Sequence, residues 1–165
     1  MKLIPNKRQE RVRSVKRIDS HVEVNGESFD YAIIATHANN ALEILSDASP
    51  EERENLAAIP YSKNQTWLHT DSTVLPNNAA VRASWNYMMD SCESNSNKVL
   101  VSYWMNKLMR LDGPDQYFVT LNANQKKVIA EMTYTHPIFT KAAVAAAKRL
   151  RSSGGERLAF AGAHL

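Results

Sequence analysis

The stretch FDYAIIATHANNAL, residues 29–42, decides how the rest of the chain is read. Ala32 to Ala35 form an apolar run without polar alternation, which predicts a strand covered on both faces. The run stops at Thr36-His37, and helical spacing then sets in with Ala41, Leu42, Ile44 and Leu45. A strand, a tight turn and a helix start, in that order, commonly hold a phosphate or a nucleotide. The glycine-rich loop that accompanies such a site is missing. The chain's five glycines, Gly26, Gly113, Gly154, Gly155 and Gly162, cannot form G-x-G-x-x-G.

Upstream of this stretch, RVRSVKRIDSHVEV predicts two short strands, one holding Val12 and Val15, the other Val22 and Val24. Asn25-Gly26 follows, a pair suited to a two-residue hairpin because both positions tolerate positive φ. Downstream, Ser49 is a candidate N-cap with Pro50 in the first helical position, and Glu51 and Glu52 suit the positive end of the dipole. Pro60 ends that helix. TWLHT (66–70), AAVRASWNY (79–87), KVLVSYWMN (98–106), YFVTLN (117–122) and KVIAEMTY (127–134) read as strands separated by polar loops. FTKAAVAAAKRLRSS is an alanine-rich helix stopped by Gly154-Gly155, and ERLAFAGAHL returns to a strand. The expectation is an α+β fold with a mostly antiparallel or mixed sheet and flanking helices. Residues 1–37 and 154–165 read as pieces of one layer, with residues 38–153 as an inserted domain.

A chain of 165 residues with 44% apolar and 22% charged residues can bury one ordinary core. No apolar run approaches the ~20 residues of a membrane span. The N-terminal residues MKLIPNKRQERVR lack the apolar segment of a signal peptide. A single cysteine, Cys92, excludes an internal disulfide, so the reading is cytoplasmic. Acidic neighbours in DSCES raise rather than lower a thiol's pKa, which makes Cys92 an inert thiol. The first twenty residues carry seven basic against two acidic side chains, +5, leaving −2 for the other 145. The basic residues interleave with Val12 and Val15 rather than with stacking aromatics. A solvated strand face therefore outweighs nucleic-acid binding.

The candidate sites are few. His69 and Asp71 in HTD could supply two metal ligands, although a polar strand end is the simpler reading. His136, before Pro137, reads as a loop residue held extended by the proline. No G-x-S-x-G elbow supports a hydrolase. SWNYMM and SYWMNKLMRL set Trp85, Tyr103 and Trp104 beside amides such as Asn106. On adjacent strands these would line a pocket for a small hydrophobic molecule, while an ordinary core is the competing reading.

In order, VRSVKRIDSHVEVNGESFDYAIIATHANNALEIL, LHTD, SWNYMM, SYWMNKLMRL, YFVTLN, THPIFT and FAGAHL resemble the flavin-containing amine oxidase superfamily. Within it they are most similar to bacterial predicted NAD/FAD-binding oxidoreductases, over residues ~8–165. The resemblance implies FAD as cofactor and redox chemistry of amine oxidase or desaturase type. It implies a chain truncated at both ends, since the glycine-rich unit and the flavin-proximal segment have no counterpart. It places Val12 near the adenine, Ala35, Thr36 and His37 at the turn beside the ADP, and Gly162 and Ala163 on the strand leading to the flavin. Residues 38–153 become the substrate region, with Trp85, Tyr103, Trp104 and Asn106 as lining and no catalytic residue identified. Without the phosphate loop this chain alone is expected not to hold FAD tightly. The Tyr31–Ala35 strand is expected to leave an apolar edge that pairs in a homo-oligomer.

Overall fold

The computed structural model describes residues 10–89 and 100–165, so Cys92 and its polar loop lie outside the described residues. The fold is α+β, with helices accompanying sheets that are mostly antiparallel. Contacts divide the chain into two units, residues 1–61 with 137–165, and residues 62–136. No helix of the described residues is long and apolar enough to cross a membrane.

The first unit begins with a three-stranded antiparallel sheet of β1 (Val15–Ile18), β2 (His21–Val24) and β3 (Glu27–Phe29). Asn25 and Gly26, at φ of 50° and 82°, make the two-residue turn between β2 and β3. β4 (Ala32–Ile34) pairs in parallel with the last strand, β10 (Leu158–Phe160). The two ends of the sequence therefore share a ladder. Helices α1 (Ala38–Ile44), α2 (Pro50–Ala57) and α4 (Lys141–Leu150) belong to the same unit. Helix α2 starts as its sequence predicts: Ser49 accepts from the Glu52 N–H, and Glu52 reaches back to the Ser49 N–H.

Two sequence expectations are corrected here. The unit boundaries fall at 61/62 and 136/137 rather than 37/38 and 153/154. The cause is burial: Ala38, Ala41, Leu45, Leu56, Ala143, Ala146 and Leu150 of the helical segments share one core with Val15, Val22, Ile34, Leu158 and Phe160. Nor is β4 covered on both faces. Ile34 points into the core, while Tyr31 and Ile33 are 68% and 70% exposed.

In the second unit a five-stranded sheet has the order β6-β7-β8-β5-β9. Its strands are β5 (Tyr61–His69), β6 (Trp85–Met88), β7 (Leu100–Trp104), β8 (Phe118–Leu121) and β9 (Val128–Pro137). A five-residue helix, α3 (Met105–Met109), follows β7 directly. His136 thus lies within β9 and not in a loop. A strand accommodates the proline that follows because β9 is an edge strand, where the missing N–H need not join a ladder.

One ion-pair group ties the first unit together. The Arg17 guanidinium donates to both Glu52 carboxylate oxygens at 2.7 Å, to Asp47 Oδ2 at 2.9 Å and to the Asp47 carbonyl at 3.1 Å. Glu52 is only 3% exposed. Hydrogen bonding from Arg17 holds its carboxyl below the ordinary value of 4.5, against the opposing effect of burial. A carboxylate held low in the native state takes up its proton first in the unfolded chain. Its contribution is complete above pH 4.5 and is lost as pH falls through the depressed value. Glu52→Ala is expected to cost about 3 kcal/mol in urea unfolding and to flatten this acid dependence. Equal acid slopes for variant and wild type would contradict the assignment.

Candidate functional site

The β4–β10 ladder brings the first group of candidate residues together. Register pairs Ala32 with Leu158 and Ile34 with Phe160, and the Ala161 N–H donates to the Ile34 carbonyl at 2.9 Å. Ala35-Thr36 and Gly162-Ala163 therefore emerge side by side, and all four are exposed. Gly162 sits at φ 141°, and a Cβ there would lie 2.9 Å from the His164 ring and 3.6 Å from the Thr36 carbonyl oxygen. Glycine is required by this approach. Val12 borders a cleft of about 280 Å³ with Arg11, Thr36, Asn40, Glu43 and Ile44.

His37 occupies the N-cap of α1 without a side-chain capping bond. Its ring instead stacks on Tyr61, centroids 4.6 Å apart. The Tyr61 hydroxyl accepts the Ala38 N–H at 2.7 Å. A donor that an anion would use at a helix start is thereby satisfied internally. Burial raises the Tyr61 pKa, with the Ala38 bond opposing. His164 is buried beside this group, and burial, then the neighbouring His37, push its pKa down.

The fit to FAD is therefore partial. An open ledge of small residues and the cleft at Val12 suit the flat nucleoside end of a dinucleotide. The engaged Ala38 N–H and the absence of a glycine loop do not suit the pyrophosphate. No chemical step can be derived through the flavin from these residues.

The second group lies on the five-stranded sheet, which separates the four substrate-site candidates. Trp85 pairs directly with Tyr103, and Tyr103 with Val119, so these share one face. Trp85 also stacks on Tyr87 at 6.1 Å, and both are exposed. Trp104 points to the other face, where its Nε1–H donates to Gln116 at 2.8 Å. Asn106 is buried and holds the following loop: its Nδ2 donates to the Asp115 carbonyl at 2.9 Å, and its Oδ1 accepts the Tyr117 N–H at 2.7 Å. Both ends of its amide are thus committed to backbone.

On the Trp85–Tyr103 face a trough of about 320 Å³ is lined by Tyr103, Met105, Leu108, Val119, Leu121, Tyr134 and His136. Sequence reading found only Tyr103 among them. The alternation Tyr134-x-His136 was the available signal, since residues two apart on a strand share a face.

On the opposite face a polar chain is fully buried. His69 Nδ1 accepts the Asp71 N–H at 3.2 Å, which leaves the proton on Nε2 to donate to Thr120 Oγ1 at 2.8 Å. Thr120 continues to Ser102 Oγ at 2.7 Å. Asp71 caps the turn at Ser72–Val74 by accepting from Thr73 N–H, and this bond lowers its pKa. The pair is thereby committed to the fold, and no group of three metal-ligating side chains occurs among the described residues.

Neither family models nor curated proteins match the sequence. Among solved structures the chain is similar to a crystal structure of the CLA-producing fatty acid isomerase from P. acnes, with a TM-score of 0.54 and 16% identity. The similarity covers 92% of this chain and 41% of that one, so the chain spans about two fifths of the isomerase's length. At this identity the likeness concerns the fold.

Burial, against a smaller opposing effect of Asp71, lowers the His69 pKa below its ordinary 6.5. The unfolded chain then binds protons more readily, and stability falls as pH drops from 6.5 toward the lowered value. Thr120→Val, which strands the Nε2–H of neutral His69, is expected to cost about 1–3 kcal/mol at pH 7.5 by urea unfolding. A neutral substitution would show that the chain is not satisfied through Thr120.

Proposed function

We propose that this chain supplies the substrate-binding region, and part of the cofactor layer, of an FAD-dependent oxidoreductase of amine oxidase or desaturase type. The observation that carries the reading is the parallel pairing of β4 with β10. It joins Ala35-Thr36 to Gly162-Ala163 from opposite ends of the sequence, while residues 62–136 build their own sheet. The ordered motifs and the similarity in fold to the fatty acid isomerase add support. When bound, a flavin would take a hydride from a carbon next to nitrogen or desaturate a C–C bond. The protein's own share is to seat the adenosine end at Val12, Ala35, Thr36, His37, Gly162 and Ala163. It would also offer a hydrophobic substrate the aromatic face that carries Trp85 and Tyr103. An apolar wall suits a lipid-like substrate better than a charged one.

Tight FAD binding by this chain alone is not part of the proposal, because its sequence holds no glycine-rich phosphate loop and the Ala38 N–H is already engaged. The trough beside Tyr103 favours one alternative, a stand-alone module that binds a hydrophobic ligand without redox chemistry. Exposed Tyr31 and Ile33, on a strand whose only ladder partner among the described residues is β10, fit a cytoplasmic homo-oligomer that covers this edge.

Calorimetric titration with FAD, ADP and riboflavin tests the cofactor half. Weak binding is expected for FAD and ADP, with none for riboflavin. Thr36→Trp, which fills the cleft at Val12, should abolish it. Failure of ADP to bind at millimolar concentration, or riboflavin binding as well as FAD, would count against the reading.

A further inference from the structure

The trough on the five-stranded sheet has one polar feature with a fixed orientation. The His136 ring borders it beside Tyr134 of the same strand, facing Tyr103, Val119 and Leu121. His136 Nδ1 lies 2.9 Å from Asn64 Nδ2. The amide of Asn64 is itself oriented, because Asn122 Nδ2 donates to Asn64 Oδ1 at 2.9 Å and Asn64 Nδ2 also reaches Ser62 Oγ at 3.2 Å. Asn64 therefore presents an N–H to the imidazole, Nδ1 accepts it, and the ring proton sits on Nε2. The chain Asn122–Asn64–His136 thus sets a hydrogen-bond donor at the rim of an apolar trough.

The other lining groups define what such a donor would meet. Val119, Leu121, Met105 and Leu108 offer only hydrocarbon and thioether surface, and the phenols of Tyr103 and Tyr134 are the remaining polar groups. Among the described residues no carboxylate lines the trough. Glu131 of the same strand is bonded to the indole Nε1–H of Trp67. A cationic head would find no counter-charge here, whereas an acceptor head would find donors. At about 320 Å³ the space is at the small end for ligand sites, enough for one slender hydrocarbon body.

The geometry points to a medium-chain monocarboxylate as the ligand class of this trough. Its hydrocarbon lies over Val119 and Leu121, and its carboxylate accepts from His136 Nε2–H. The inference rests on the reading of this face as the substrate side and narrows that reading from hydrophobic to hydrophobic acid. It makes His136 a specificity-determining residue, held in one tautomer by Asn64.

Titration of the full chain by calorimetry with decanoate, decanol and decylamine, below their aggregation concentrations and at one pH, tests it. Decanoate is expected to bind roughly tenfold more tightly than either other head group, the worth of one charge-assisted hydrogen bond. His136→Phe should erase that preference while retaining decanol binding. Val119→Trp should abolish all three, with unchanged circular dichroism showing that each variant is folded. Equal binding of the three heads by the wild-type chain, a preference for decylamine, or a decanoate preference that survives His136→Phe would overturn the inference. The outcome is separable from that of the cofactor reading. Decanoate selectivity without ADP binding leaves this inference standing and favours the stand-alone module. ADP binding without decanoate selectivity removes this inference alone.

Discussion

The first unit depends on where the charge of Arg17 goes. This residue sits on β1, a four-residue strand at the edge of its sheet. Its guanidinium meets Asp47 in the turn before α2, Glu52 in the first turn of α2, and, at 3.3 Å, the carbonyl of Gly154 in the turn that leads to β10. Three segments far apart in sequence are thereby tied to one planar fork of donors. The same Glu52 carboxylate closes the capping box of α2, so the helix start and the ion pair share a group. A buried carboxylate with two such duties cannot be moved without leaving a charge uncompensated.

The geometry at the β4–β10 edge follows from that constraint. Gly154 stands where a Cβ would lie 2.3 Å from the Leu158 carbonyl oxygen, so the turn packs tightly against the strand it precedes. β10 then lies on β4, and the ends of the two strands become neighbours. At that edge the chain resolves its own polar groups where it can. Tyr61, from the start of β5, answers the Ala38 N–H and stacks on His37. Small residues at 35, 36, 162 and 163 leave the backbone exposed beside it. The result combines a helix start whose Ala38 N–H is already engaged with an open ledge of small residues.

How much of this was legible in the sequence varies with the range of the interaction. The Asn25-Gly26 turn and the Ser49-Pro50-x-Glu52 helix start were readable because backbone geometry within four residues decides them, whereas the alanine-rich helix ends at Leu150, before the Gly154-Gly155 pair expected to stop it. The unit boundary was not readable. The alanine stripe of α4 can pack on either sheet, and only the shared core with β1, β4 and β10 decides between them. The exposure of Ile33 was equally hidden, because an apolar run reports only what could be buried. Trp85 and Tyr103 lie opposite each other because rings on adjacent strands meet at a register the pattern allows. The loop-holding bonds of Asn106 were not legible, because nothing local distinguishes an amide that faces a ligand from one that holds its own loop. His136 was read as a loop residue, and its contact with Asn64 was hidden because that partner lies 72 residues away.

The two faces of the five-stranded sheet supply the last step. In most half-buried sheets the polar residues face solvent and the apolar ones face the core. Here the centre of the buried face carries His69, Thr120 and Ser102 joined in a hydrogen-bonded chain, which can be buried only because every member is satisfied. The other face exposes Trp85, Tyr87 and Tyr134 around a trough floored by Val119 and Leu121. A fold that spends polar residues inside while leaving aromatic rings outside gains nothing in stability from the arrangement. The arrangement does make sense if the outer face is completed by something apolar. The fixed donor of His136 at its rim then selects which apolar molecules can complete it.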